Sequence, residues 1–402
     1  MKKIAVVSSF SESCGNAYFT KILTDSMIGQ GCEVDCLSLN LLLTQSVNKK
    51  IRAKADKHID EICKKLKDYD GVNIQFEAGL YGTMPKDIVR RTIKLIQANP
   101  NVSVTLHSPR LVYDTSSERE AIKQALRLHL RCALRFYFSG IRSSISMRIN
   151  EKVIKYLARN NINTIVHTLR AKEQIELLFN YRNVSVHPLK IVPENISTND
   201  ELLNNIKDSF GFSPDVKIIG VFGFVNEYKG HSLAIQAMNY LPKNYKLMFF
   251  GRQHPQTIKN NELVNGYIKN LQEKIHKSRL VDRVFFMGEY DNEDFINLAS
   301  SVDAVWLPYV ENGQDGSGIA SICFDVSKTV LCSTSFAFDE LFRLIKDYTN
   351  YNRFDIGNYM ELASKTKSFM PLSTKPIREE DRSTFSLASQ AQLYIDKSLN
   401  GK

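Results

Sequence analysis

Three segments carry residues whose types and spacing suit a phosphorylated ligand. The richest is 303–321, DAVWLPYVENGQDGSGIAS, in which an apolar strand stops at Pro308 and Gly316-Ser317-Gly318 opens a helix. Glycines admit a phosphate close to the backbone, and the first helical N–H groups with the positive end of the helix dipole bind an anion without a metal. The same three residues also make an ordinary turn and N-cap, so their place in the fold decides between the readings. The second segment, 223–231, GFVNEYKGH, lies between an apolar strand and an amphipathic helix. A lysine there, Lys229, stands at the mouth of a ligand site and neutralises a diphosphate leaving group; a solvated loop lysine is the plain alternative. The third segment, Phe250-Gly251-Arg252-Gln253-His254-Pro255, ends another apolar run. The Arg252 guanidinium can fork onto phosphate oxygens, although a lone arginine is more often a surface residue.

These loops act together only if a scaffold gathers the strand ends that carry them. In the first half, β-rich runs at 4–9, 33–39, 72–76, 103–107, 164–167 and 184–189 alternate with helical patterns such as 17–28, 51–66 and 85–97. The pattern lapses over 191–215, where Pro, Asn, Ser and Asp cluster, and a helix at 201–210 leads into the second half. There the alternation restarts: strands at 217–222, 246–250, 283–287, 304–307 and 330–333, helices at 232–239, 258–276, 292–299, 319–326 and 338–344, and a terminal helix at 379–399. Strand–helix alternation of this spacing predicts an α/β protein with two doubly wound parallel sheets. The expected partition is an acceptor domain 1–200, a donor domain 201–375 and a C-terminal helix 376–402. Ligands of such sheets bind at the carboxyl ends of the strands, which here face each other across a cleft.

Taken together, the strand–loop–Lys-Gly unit, the FMGEYDNEDF stretch at 286–295 and the 303–318 segment resemble the donor half of retaining glycosyltransferases of family 4, which have the GT-B fold. The resemblance implies a nucleotide sugar, UDP- or GDP-linked, held by the second domain, with a glycan or lipid-linked acceptor over the first. It implies no cofactor and no metal, because cations of the protein assist the departing diphosphate. Lys229 matches the family's lysine, in a loop that begins at Gly223. Gly288, Glu289 and Tyr290 fall where the nucleobase is held. Gly316, Ser317, Gly318 and Ile319 fall where phosphate and sugar are received. In the first half, Gly15 and Asn16 occupy the place of a glycine-rich loop under the donor, and His107 matches a histidine near the transferred sugar. Two positions depart from the pattern: Phe224 stands where the family has an arginine, with Arg252 as the replacement cation, and Ile322 stands at the ribose-holding glutamate, with Glu311, Asp315 or Asp325 to take over.

Residues 119–148 form a separate feature. Arg119, Lys123, Arg127, Arg131 and Arg135 recur every four residues beside Ile122, Leu126, Leu130 and Leu134, and Phe136-Tyr137-Phe138, Arg142 and Arg148 follow. Glu120 is the one acid in this window. Four-residue spacing predicts one helical stripe of bases. A basic stripe with aromatics suits peripheral contact with an anionic membrane through Arg127, Arg131 and Arg135; the alternative is an amphipathic helix with its leucines in the core.

Composition narrows the classes. Of 402 residues, 43% are hydrophobic and 24% charged, as in a globular chain. Residues 1–200 hold 30 Lys/Arg against 19 Asp/Glu, and residues 201–402 hold 23 against 24. The basic surplus of the first half points to an anionic partner. No apolar run reaches spanning length, and the N-terminal run is that of a first strand rather than a signal peptide, which places the chain in the cytoplasm or at the inner face of the membrane. Seven cysteines without a C-x-x-C pair read as free thiols. No nucleic-acid reader motif appears, the first turn lacks G-x-G-x-x-G of a dehydrogenase, and no glycosidase carboxylate pair can be assigned. The remaining rival is a non-catalytic sugar-nucleotide or glycan-binding module of the same fold.

Overall fold

The computed structural model describes residues 1–10, 15–111, 116–193, 196–253, 266–311, 314–345, 351–369 and 385–400. They form two units, Met1–Pro188 with Leu387–Lys402, and Leu189–Ser386. The division falls just before the punctuated stretch, about a dozen residues ahead of the expected boundary at 200, and the last helix belongs with the first unit.

The first unit holds β1 (Lys3–Ser8), β2 (Glu33–Ser38), β3 (Gly71–Phe76), β4 (Val102–Leu106), β5 (Asn163–Val166) and β6 (Val184–Val186). They pair in parallel in the order β2-β1-β3-β4-β5-β6. Strands covered on both faces read as apolar runs, and Ile4, Ala5, Val6 and Val7 are indeed fully buried. In β3 the alternation instead divides two kinds of contact. Val72, Ile74 and Phe76 enter a core shared with Ile59, Leu95, Val153 and Leu157. Asn73 and Gln75 form a buried polar seam with Ser103 and Thr105 of β4. The terminal helix Leu387–Leu399 lies along this seam, where the Ser398 and Ser103 hydroxyls are 2.9 Å apart.

The second unit holds β7 (Lys217–Phe222), β8 (Tyr245–Phe250), β9 (Val284–Gly288), β10 (Ala304–Leu307), β11 (Val330–Ser333) and β12 (Tyr351–Phe354), in the order β12-β11-β10-β7-β8-β9, all parallel. This is a doubly wound Rossmann order, and the chain reverses its direction of winding between β7 and β10. Trp306 in β10 is fully buried and donates to Thr366 Oγ1 at 3.0 Å. The edge strand β12 is not anticipated by the sequence: its four residues include Asn352 and Arg353 and pair only with β11.

The basic stretch is not one helix. The helix Ser116–Leu126 ends at a turn, and a new helix runs Leu130–Arg159. Leu128 takes φ 61°, and its N–H bonds Ala125 O while that of His129 bonds Gln124 O, a Schellman closure without glycine. The stripe through Arg127 and Arg131 is therefore interrupted, and the leucines beside it are exposed rather than in the core.

Candidate functional site

The winding reversal of the second unit brings the loops after β7 and β10 together, and Lys229 lies between them. The loop turns at Gly223, φ 96°, and closes through a short helical turn Glu227–Lys229 onto Gly230, φ 73°. Gly230 is required by space as well as by backbone, and Gly223 has little room for a side chain. A Cβ at Gly230 would overlap the Pro308 carbonyl, and one at Gly223 would lie 3.1 Å from Lys229 Nζ and 3.0 Å from the Ile319 side chain.

Lys229 is 4% exposed. Its ammonium donates to Tyr309 OH at 2.7 Å and lies 4.7 Å from the centre of that ring and 5.5 Å from that of Tyr228. Among the described residues it has no carboxylate partner. Tyr309 OH is 2.9 Å from Ser317 Oγ, which caps the helix Gly318–Val326 by accepting from Ala320 N. Burial raises the Tyr309 hydroxyl well above its ordinary value, against a smaller lowering by Ser317, so it stays a neutral phenol. Below Lys229, burial and then the lysine charge push His231 down to about 3, so this histidine adds no charge. A buried cation thus reaches, through one phenol, the start of a helix whose N–H groups favour anions.

A second cation stands one strand over. Arg252 Nη1 pairs with Glu289 at 2.9 Å, and its guanidinium carbon lies 5.8 Å from the centre of the Phe224 ring. Arg252 and Phe224, the position where an arginine is expected, are therefore neighbours. Gly288, φ 81°, ends β9 at a register shift, and the ring of Tyr290 lies edge-on to Phe250 at 5.9 Å.

The carboxylates offered in place of Ile322 have different surroundings. Ile322 itself is buried in the Gly318–Val326 helix. Asp325 forms a buried ion pair with Lys190 at 2.8 Å. Asp315 is buried beside Gly316 and Ser317, and Glu311 is partly exposed, its carbonyl held by the Ser335 hydroxyl. His254, Asn312 and Gly313 lie outside the described residues.

In the first unit, Gly15 and Asn16 begin the helix Gly15–Gly29, and Asn16 O accepts from Thr20 Oγ1. The preceding Ser13 and Cys14 lie outside the described residues. His107, just past β4, has both ring nitrogens engaged: Nε2 is 2.6 Å from Gln75 Oε1 and Nδ1 is 3.1 Å from His167 Nε2. His167 Nδ1 continues to His187 O at 3.1 Å, and Phe19 stands edge-on to both rings. Burial holds His107 well below its ordinary value, with His167 adding to it, and brings His167 down to about 4. Burial thus disfavours a charge on either ring, and with one proton on each the pair can satisfy two of these three contacts at a time.

The sequence reading missed Tyr309, Tyr228 and His167. Tyr309 follows the strand-ending Pro308, and its role depends on β10 lying next to β7. His167 stands in the same position after β5 as His107 does after β4, the one signal that could have linked them.

No protein-family model matches the chain, and no curated protein matches it. Solved structures do share its fold. Sucrose-phosphate synthase from Thermosynechococcus elongatus superposes with a TM-score of 0.69 at 15% identity, over 98% of this chain and 99% of that one. Anabaena HepE in complex with UDP-glucose superposes with a TM-score of 0.59 at 15% identity, over 99% and 96%. WaaG, a glycosyltransferase involved in lipopolysaccharide biosynthesis, gives 0.55 at 12% identity, over 98% and 95%. The expected α/β architecture of two doubly wound units, the GT-B fold, is thus the fold of this chain.

Proposed function

We propose that the chain is a glycosyltransferase of the family 4 type that moves a hexose-type sugar from a nucleoside-diphosphate sugar, UDP- or GDP-linked, to a glycan or lipid-linked acceptor, with retention of configuration and without a metal. The observation that carries this reading is Lys229: a buried ammonium with no carboxylate partner among the described residues, at the winding reversal, hydrogen-bonded into the cap of a helix N-terminus. An ammonium taken out of water is costly unless an anion joins it, and a diphosphate is the anion this place accommodates. HepE, of like fold, has been solved with UDP-glucose, and WaaG acts in lipopolysaccharide synthesis.

In this reading Lys229, Arg252 and the Ser317-Gly318 helix start stabilise charge that grows on the leaving diphosphate. The bond from the anomeric carbon to the phosphate oxygen breaks, and the acceptor oxygen bonds that carbon on the same face. The acceptor proton passes to the departing phosphate, so no protein nucleophile is needed. The test is a thermal-shift panel of UDP, GDP, ADP and CMP with their sugar conjugates, with and without EDTA. One nucleoside diphosphate should stand out equally in both, and absence of a shift with every nucleotide overturns the reading.

The buried Ile322, which cannot hold a ribose hydroxyl, favours a second reading, a non-catalytic binding module. Donor binding with neither transfer nor hydrolysis across an acceptor set would support it.

A further inference from the structure

We propose that the helix–turn–helix formed by Ser116–Leu126 and the first half of Leu130–Arg159 docks the chain on an anionic lipid bilayer, with the turn seated in one leaflet. Leu126 and Leu128 are 80% and 84% exposed, and Ile122, Leu130, Leu134, Tyr137 and Phe138 are each more than half exposed. The two helices contact each other, and one small residue of each, Ala121 and Ala133, is buried. Further along, Ile149, Val153, Ile154 and Leu157 enter the core of the first unit, so the exposed part extends from a firmly seated helix.

Leu128 is the most telling residue. It holds a left-handed backbone, φ 61°, at a position where glycine closes a helix without strain. A large apolar side chain kept there, in water and against its backbone preference, gains nothing for the isolated fold.

Charge selects the occupant. Arg119, Lys123, Arg127, Arg131 and Arg148 are exposed around this surface; of the two acids in the sequence 116–148, Glu118 and Glu120, the latter is taken up by Lys123 and Gln124. A second copy would set like charges against like in a two-fold contact. A nucleic acid would match the bases but leave the leucines in water. A bilayer with anionic headgroups accepts both: the leucines enter the acyl boundary, Tyr137 and Phe138 suit headgroup level, and the arginines face the phosphates. No helix among the described residues is long and apolar enough to cross a membrane, which fits a seat within one leaflet.

The inference stands apart from the donor-site reading. Its test is co-sedimentation of the whole chain with vesicles of phosphatidylcholine alone or mixed with phosphatidylglycerol. Binding should require the anionic lipid and weaken with salt. Arg127→Gln with Arg131→Gln should lower partitioning roughly 30-fold, about fivefold per base. Leu128→Gly should raise Tm by relieving the backbone while weakening vesicle binding, and Leu126→Ser with Leu130→Ser should remove binding with Tm retained. Nucleotide binding measured on the same proteins should not change. Equal binding of all variants, no preference for anionic vesicles, or a lipid-independent dimer dispersed by the serine variant would each overturn the proposal.

Discussion

Replacing Lys229 by methionine separates a structural lysine from one that awaits an anion. Methionine keeps the apolar stem under Tyr228 and Tyr309 and removes the charge. In the ligand-free protein the buried ammonium meets the hydroxyl of Tyr309 and the ring faces of Tyr228 and Tyr309, with no carboxylate partner among the described residues. Removing it relieves a desolvation cost that hydroxyl and ring contacts offset only in part, so stability should hold or rise. Tyr309 retains Ser317 as a partner. With nucleotide bound, the variant loses a charge-assisted hydrogen bond worth about 2 kcal/mol, roughly a 30-fold rise in Kd. At a nucleotide concentration near 100 times the original Kd, stabilisation should fall from about 2.7 to about 0.9 kcal/mol. Differential scanning fluorimetry gives both quantities, and isothermal titration confirms the affinity. A variant that unfolds several degrees earlier without ligand, yet binds nucleotide as the parent does, would show that Lys229 holds the loop together and would remove the basis of the donor site.

Three other outcomes follow from the same geometry. Arg252→Ala should weaken nucleotide binding by about tenfold and change unfolding little, because its pair with Glu289 is exposed; unchanged affinity would sink its role as replacement cation. Gly230→Ala should cost about 3 kcal/mol or more, since its Cβ overlaps the Pro308 carbonyl at φ 73°, whereas Gly288→Ala, at φ 81° with open space around it, should cost about 1 kcal/mol; equal costs in denaturant titrations would contradict the packing. The neutral His107, His167 and His231 have native values below the ordinary 6.5, so the unfolded chain binds protons that the native chain refuses. Stability conferred above pH 6.5 should therefore be lost as pH falls from there toward 4, each histidine contributing about 1.4 kcal/mol per pH unit. Urea titrations at pH 7, 6 and 5 check this, and His231→Phe should flatten the slope by one such increment.

What the sequence makes legible is what local pattern encodes. Among the described residues, β-rich runs closed by Gly, Pro or a polar turn locate eleven of the twelve strands to within a few residues, because strands covered on both faces are mostly apolar. The strand it misses, β12, is short, polar and at an edge, where one neighbour suffices. The break at Leu128 is invisible for another reason: no Gly or Pro marks it, and the count of four between bases runs straight through a three-residue turn. Tyr309 and His167 are hidden because each acquires its meaning from a strand distant in sequence, β7 in one case and β4 in the other.

The two departures from the family pattern differ in how a fold can absorb them. A missing cation is replaceable from a neighbouring loop, since charge acts over several ångströms in a site that excludes water. Arg252 lies beside the Phe224 ring but in an exposed pair with Glu289, so its reach toward a diphosphate depends on bound ligand displacing water and that partner. A ribose-holding carboxylate is harder to move, because two hydroxyls must be met at hydrogen-bond distance and angle. Asp325 is already committed to Lys190 in a buried pair, and breaking such a pair leaves a charge without its partner. Glu311 and Asp315, on the loop that leads into the capped helix, are the other two carboxylates to test. Glu311→Gln and Asp315→Asn, each tested against a nucleotide and its 2′,3′-dideoxy analogue, separate the two: the carboxylate that holds the ribose is the one whose loss leaves affinity for the dideoxy analogue unchanged while lowering that for the parent nucleotide. If both substitutions weaken the two ligands alike, neither carboxylate reads the ribose, and the binding site has given up that contact along with the glutamate.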